Sequence, residues 1–396
     1  MVIATRLRDE IDEILPGVIA DRRDLHQHPE LGFQEVRTSR VVAERLQALG
    51  LDDIRTGIAK TGVTGLIRGQ AGEGKTVLLR ADMDALPIHE ENDVEYRSTT
   101  EGIMHACGHD AHTSMLLGIA RVLQDRRESF AGTVKVLFQP AEEGLGGAEP
   151  MIEAGVLDNP HVDAVFGMHM AQEMPVGQIG LRAGPAMAAS DSFRVTIKGK
   201  GGHGARPQAT IDPIVIGAYI VTALQTVVSR ELNPVEAGVV TVGAFRAGEA
   251  QNVIPDTAEL RGTVRSFLPE IRQQEAERVE ALVKGIAAAM RAEVDFHYKW
   301  GYPTLVNDAE MTALARAAVT EVVGEEHVIE SPQIMGGEDF SYFLQQRPGC
   351  FFFVGSKNEE RGLVWGHHHP RFDIDEASLG IGIEAMCTTV MRYLER

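Results

Sequence analysis

Apolar residues recur at helical spacing over residues 3–26, where Leu7, Ile11, Ile14, Leu15 and Val18 fall on one stripe, and this predicts an amphipathic helix. A second helix is predicted over Val36–Leu49, closed by Gly50. Short apolar runs then alternate with helical stretches. Val63–Arg68, Thr76–Ala81, Thr133–Phe138 and Val162–Met168 read as buried strands, and Thr113–Gln124 as a helix between two of them. That alternation predicts an α/β fold with helices on both faces of a sheet. Residues in the loops after the strands should gather at one end of such a sheet. Asp82, Asp84, Glu142 and Glu143 all follow strands, and His169 is expected to end one.

Near Arg182 the pattern changes. Ser192–Lys198 alternates as a half-buried strand, and a glycine-rich turn follows it. Asp212–Arg230 reads as a long helix with Pro213 in its first turn, Gly238–Phe245 and Thr257–Arg265 as strands, Leu268–Arg291 as a helix, and Glu293–Trp300 as a strand. A β-α-β-β-α-β order is the ferredoxin-like layout. The expected organisation is a mixed-sheet α/β domain over residues 1–183 and 299–396, with a ferredoxin-like βαββαβ domain inserted over 184–298. The returning segment holds the stretch Asp308–Val322, the loop Gly336-Gly337-Glu338-Asp339-Phe340, a strand at Cys350–Val354 and a final helix from Asp375.

A length of 396 residues fits two domains better than one. The net charge of −19 argues against nucleic acid or an anionic membrane as partner. No run of 18 apolar residues occurs, so no membrane span is expected. The N-terminus lacks the apolar core of a signal peptide, and the three cysteines give no disulfide framework, so a cytoplasmic protein is expected.

The candidate chemistry is concentrated. His105-Ala-Cys107-Gly-His109-Asp110-Ala-His112 places a thiol and three imidazoles within one short stretch. Glu142-Glu143, His169 and the run His367-His368-His369 add further ligand types. Thiolate, imidazole and carboxylate together suit Zn²⁺, Mn²⁺, Co²⁺ or Ni²⁺. Gly108 lets the backbone bend so that Cys107 and His109 can face one site. Adjacent glutamates suit metal-assisted hydrolysis, one holding metal and the other moving protons. Asp82 and Asp84 follow one strand together, and an acid there, Asp84 being the chosen one, is expected to orient a metal-ligand histidine or to support a bridging group, with the division of roles between the two left open. His203, Arg206 and Asn252 lie in glycine-rich or loop sequence of the insert, where Arg206 offers a fork for a carboxylate. A Cys107–His nucleophile pair is the competing chemical reading, and it leaves the glutamate pair unexplained.

These segments resemble the M20 family of metallopeptidases and amidohydrolases. They are most similar to its hippurate hydrolases, N-acyl-amino-acid amidohydrolases and auxin–amino-acid conjugate hydrolases. The matching stretches are His26–Glu35, Arg80–Ile88, His105–His112, Phe138–Gly144, Gly167–Met170, Gly199–Pro207, Gly336–Phe343 and His368–Asp373. The resemblance implies a zinc-exopeptidase-type catalytic domain and two divalent metal ions, held by Cys107, His109, Glu143, His169 and His368. It makes Glu142 the general base and acid, and it replaces a bridging carboxylate by Cys107. It implies a homodimer, or a tetramer, paired through the inserted lid domain. His203 then reaches a partner's site to stabilise the oxyanion, while Asn252 and Arg206 grip the substrate carboxylate. The expected reaction is hydrolysis of an N-acyl amino acid to a carboxylic acid and a free amino acid. A dipeptidase or carboxypeptidase of the same family, and a non-catalytic metal-binding protein, are the alternatives.

Overall fold

The computed structural model describes residues 2–395, with side chains described from Leu7 onward. The chain divides into two compact units, residues 1–184, 306–332 and 339–396 in the first, and residues 185–305 with 333–338 in the second.

The first unit is built on an eight-stranded mixed sheet. Its spatial order is Asp52–Ile58, Gly62–Arg68, Thr133–Gln139, Thr76–Asp82, Ala164–Pro175, Gly349–Lys357, Ile179–Leu181, Val328–Glu330. The four central strands run parallel, in register Leu79↔Val136, Leu79↔Phe166 and Phe353↔His169. Both faces of such a sheet are covered, so these strands read as continuous apolar runs rather than as alternation. Thr76–Asp82, for example, is buried at every position. The helices Val2–Gln27, His109–Asp125 and Ala377–Leu394 pack on one another beside the sheet, sharing a core that includes Ile11, Met115, Ile119 and Ile383.

Two features of this first unit differ from expectation and bear on the site. The helix predicted from Thr113 begins at His109, with Gly108 before it at φ +90°. Its first turn holds His109, Asp110 and His112, all buried, so apolar periodicity does not register it. His169 does not end its strand. It lies inside Ala164–Pro175, which continues beside Gly349–Lys357 well past the apolar stretch.

The second unit carries a four-stranded antiparallel sheet in the order Gly238–Ala247, Thr257–Ser266, Ala189–Lys198, Glu293–Tyr302. Helices Pro213–Thr226 and Pro269–Ala289 complete the βαββαβ succession, and Val195, Ile197, Ile216, Ile220, Leu260, Val279 and Val283 share its core. Asp212 caps the first helix by accepting from the Ile214 and Val215 N–H groups. That helix ends at Thr226 and passes into a π-helical turn, Val227–Glu231, rather than running on to Arg230 as an α-helix. Pro213–Glu231 is also long and apolar enough to cross a membrane by length and composition, which the sequence reading did not register. Ile216, Ile220 and Leu224 on one of its faces are instead buried in the unit's own core. The return to the first domain expected at residue 299 falls inside Glu293–Tyr302, all of which stays with the second unit.

Candidate metal centre

The C-terminal ends of the parallel strands and the start of the His109 helix converge on one cluster. Cys107 precedes the helix, and its Sγ lies 3.5 Å from His169 Nε2. His169 donates from Nδ1 to the Met170 carbonyl at 2.6 Å, which fixes the tautomer that turns Nε2 toward Cys107. His109 donates from Nδ1 to the Asp84 carbonyl at 2.9 Å, and its Nε2 lies 3.9 Å from Glu143 Oε1. His368 Nε2 approaches the same Glu143 oxygen at 3.2 Å. His368 adopts φ +64°, and its N–H donates to the Ala106 carbonyl at 2.8 Å, tying the histidine run to the cysteine motif. Among the described residues, five groups of three donor atoms lie within 4.8 Å of one another, and two of these, Cys107–His109–His169 and Cys107–Glu143–His368, overlap at the thiol. Cys107 belongs to both.

The donor set fits divalent cations. His109 Nε2 is buried with no hydrogen-bond partner, an expensive arrangement unless something electrophilic meets its lone pair. Burial opposes a charge on His109, yet Asp82, Asp84 and Glu143 outweigh it and lift the imidazole to about 10. The cluster therefore favours positive charge at that spot. Burial, with the carboxylates of Glu143, Glu142 and Asp82, pushes the Cys107 thiol well above its usual range. Such a thiol is a poor unaided nucleophile and becomes a thiolate when a cation compensates it.

Glu142 is set beside these donor atoms. Glu142 is buried, and one of its oxygens lies within 4.8 Å of ligand atoms of His109 and Glu143. Asp84 holds the glutamate pair through the backbone, its Oδ1 accepting from Glu142 N–H and its Oδ2 from Glu143 N–H, each at 3.0 Å. Asp84 Oδ1 also lies 3.3 Å from His109 Nδ1, so one carboxylate contacts His109 and the Glu142–Glu143 loop together. Glu35 anchors the preceding peptide, accepting from Ala141 N–H at 2.9 Å, where Ala141 holds φ +57°.

The other histidines are used differently. His112 donates from Nδ1 to Asp82 at 2.6 Å and accepts the Met170 N–H at Nε2, so both its nitrogens are occupied. Burial, working against Asp82, lowers it to about 4. His105 is buried and pushed down to about 3 by desolvation. His367 accepts the Gln172 N–H at 3.4 Å, and His369 stacks on Trp365 at 4.2 Å between ring centroids.

In the second unit, the three candidate residues of the insert come together. Gly202–His203 pairs with Val253–Ile254, Gly204 N–H donates to the Asn252 carbonyl at 2.8 Å, and Arg206 N–H donates to the His203 carbonyl at 2.8 Å. His203 Nδ1 accepts the Ala205 N–H at 3.0 Å, so a neutral ring carries its proton on Nε2. All three side chains are exposed.

The profile of peptidase family M20/M25/M40 matches residues 78–392. The chain belongs to that family. It is 40% identical over 397 residues to thermostable carboxypeptidase 1 of Saccharolobus solfataricus, covering 99% of each chain. It is 43% identical over 362 residues to an N-acetyl-L-cysteine deacetylase of Bacillus subtilis, covering 91% of this chain and 84% of that protein. The crystal structure of the B. subtilis YxeP protein, described as a dinuclear metal-binding peptidase of the M20 family, superposes with a TM-score of 0.82 at 37% identity, covering 97% of this chain and 99% of that one.

Several residues of this M20 site were not singled out from sequence. Arg80 lies inside one buried central strand and Gln139 ends the next, and Asp339 is remote in the chain, yet all three meet in one buried cluster. The readable signal was a long polar side chain in each buried strand.

Proposed function

We propose that this M20 chain is a two-metal amidohydrolase that cleaves the amide bond of N-acyl amino acids, releasing a carboxylic acid and the free amino acid. The observation that carries the reading is the shared Cys107 between two ligand triples, with Glu142 beside them. The assigned ligands are Cys107, His109 and His169 for one ion, and Cys107, Glu143 and His368 for the other. Thiolate, imidazole and carboxylate donors accept Zn²⁺, Mn²⁺, Co²⁺ or Ni²⁺. Such ions, when bound, polarise the scissile carbonyl and lower the pKa of water.

The protein's own groups supply the rest. Glu142 takes the proton of the attacking water and delivers it to the departing nitrogen, a role typically worth 10²–10⁴-fold. Asp84 keeps Glu142, Glu143 and His109 in register. We assign to His203 a hydrogen bond from Nε2 to the developing oxyanion, and to Asn252 and Arg206 the substrate carboxylate. These three are supplied by a second copy of the chain in a homodimer. The apolar side chains that the insert leaves exposed, Ile214, Val215, Tyr219 and Phe245, support that pairing.

The test is release of free amino acid from a panel including N-acetyl amino acids and N-benzoylglycine, with metal-loaded and chelator-stripped protein side by side. Activity that disappears on stripping and returns with Mn²⁺, Zn²⁺ or Co²⁺ is expected. Activity that survives stripping would refute the metal reading. A carboxypeptidase reading is favoured by the full-length similarity to the S. solfataricus enzyme. Peptides in the same panel separate the two, because a carboxypeptidase prefers them to N-acetyl amino acids.

A further inference from the structure

Behind the ligands runs a buried polar chain that joins both triples. At one end, Asp339 accepts from Gln139 Nε2 at 2.8 Å on each oxygen and from the Ala148 N–H at 3.0 Å. Gln139 and Ala148 flank the loop that carries Glu142 and Glu143, so a single carboxylate pins both ends of that loop. Asp339 also accepts from Arg80 at 2.8 Å. Arg80 donates onward to Gln139 Oε1 at 2.9 Å and to Asp82 Oδ2 at 2.6 Å. Asp82 Oδ1 accepts from His112 Nδ1 at 2.6 Å, and His112 Nε2 accepts the Met170 N–H at 2.9 Å. The carbonyl of that same Met170 residue receives the His169 Nδ1 proton. Arg80, Asp82, His112, Gln139 and Asp339 are all buried.

We propose that Asp339, Arg80, Asp82 and His112 form a positioning relay that sets the two ligand triples relative to each other. The Asp339 end fixes the Glu142–Glu143 loop, and the His112 end fixes the peptide that orients His169. The relay assigns a purpose to the Gly336–Phe340 segment, which supplies none of the five ligands. It also explains why two histidines of the His105–His112 motif, His109 and His112, have different fates: one is turned toward the ligands and the other toward Asp82. A purely structural ion-pair cluster would stabilise the fold without favouring one ligand geometry. A buried network whose ends land on the anchors of metal ligands instead tunes affinity, and loss of such outer partners typically costs 10–100-fold.

The proposal rests on the two-metal reading, and the experiment separates the two. Co²⁺ binding is titrated against a chromophoric chelator, and the visible spectrum of the Co²⁺-loaded protein is recorded, for the wild-type chain, Asp339→Asn and His112→Asn. His112→Asn retains a donor to Asp82 and removes the acceptor for Met170 N–H, so it cuts the relay at its His169 end. Circular dichroism and thermal melting establish that each variant is folded. The wild type should bind two Co²⁺. Each folded variant should bind at least one of them 10-fold more weakly, with shifted d–d bands. Wild type that takes up no Co²⁺ would overturn the metal reading and the relay with it. Wild type that binds two, with folded variants that bind them equally tightly and with the same spectrum, would overturn the relay alone. Should Asp339→Asn not fold, His112→Asn decides by the same criteria. Should His112→Asn also fail to fold while the wild type binds two Co²⁺, the cluster is structural and the relay is overturned.

Discussion

Replacing Asp84 by asparagine isolates what that carboxylate does. In the wild type its two oxygens each accept a backbone N–H at 3.0 Å, from Glu142 and Glu143. Asparagine offers one oxygen, and its NH₂ group then meets the second N–H, donor against donor. One charge-assisted bond is lost, worth about 1.5–3 kcal/mol, and a buried N–H is left unpaired at a cost of about 1–3 kcal/mol. Relaxation of the loop recovers part of this, leaving roughly 2–4 kcal/mol. If that cost falls on the geometry that Glu142 needs in the transition state, kcat drops roughly 30- to 1000-fold. The assay is steady-state hydrolysis of the preferred N-acyl amino acid as a function of pH, with bound metal measured on the same samples. A positioning role lowers kcat and leaves the shape of the pH profile intact, because Asp84 itself moves no proton. A kcat within threefold of wild type at equal metal content would refute the reasoning. Disappearance of one limb of the pH profile would also refute it, since Asp84 would then be the titrating group.

Other consequences are as specific. Glu142→Gln should lower kcat by about 10²–10⁴-fold while metal content stays unchanged, and a parallel loss of metal would show that Glu142 is a ligand instead. Bound metal should protect Cys107 from a thiol-alkylating reagent, and chelation should remove that protection; mass mapping of the modified cysteine reads this, and equal labelling in both states would remove Cys107 from the ligand set. In the second unit, Glu275 is buried, and desolvation raises its carboxyl to about 8. The folded protein then holds a proton that the unfolded chain releases above the ordinary carboxylate range, so stability should decline as pH rises from about 4.5 to 8. Glu275→Gln removes that decline. Its advantage over wild type should grow across this window to on the order of 3–4 kcal/mol near pH 8, and parallel melting curves at all pH values would contradict the assignment.

How far the site was legible in the sequence follows from which interactions are local. Cys107, Gly108 and His109 declare themselves because a thiol, a φ > 0 hinge and an imidazole are adjacent, so one backbone bend can aim both donors at one spot. Glu142 and Glu143 are readable because a strand end delivers them together. The βαββαβ order of the insert was visible in its alternating burial, which a sheet with one covered face imposes. What periodicity could not reach was contact across the chain. The first turn of the His109 helix was missed because its residues are polar and buried, a combination that apolar spacing scores as loop. Asp82 and Asp84 look interchangeable in Arg80-Ala-Asp82-Met-Asp84, yet the strand ends at Asp82 and Asp84 lies beyond it, which separates their tasks. Asp82 turns inward to Arg80 and His112, and Asp84 turns to the backbone of the base loop. The contacts of Asp339 carry no local signal, because its partners lie 259, 200 and 191 residues away. A long polar side chain inside a buried strand is nonetheless a demand for a partner, since an unpaired guanidinium there is prohibitive. Arg80 therefore predicts from sequence that some remote carboxylate must reach it, and tertiary structure is needed to say which.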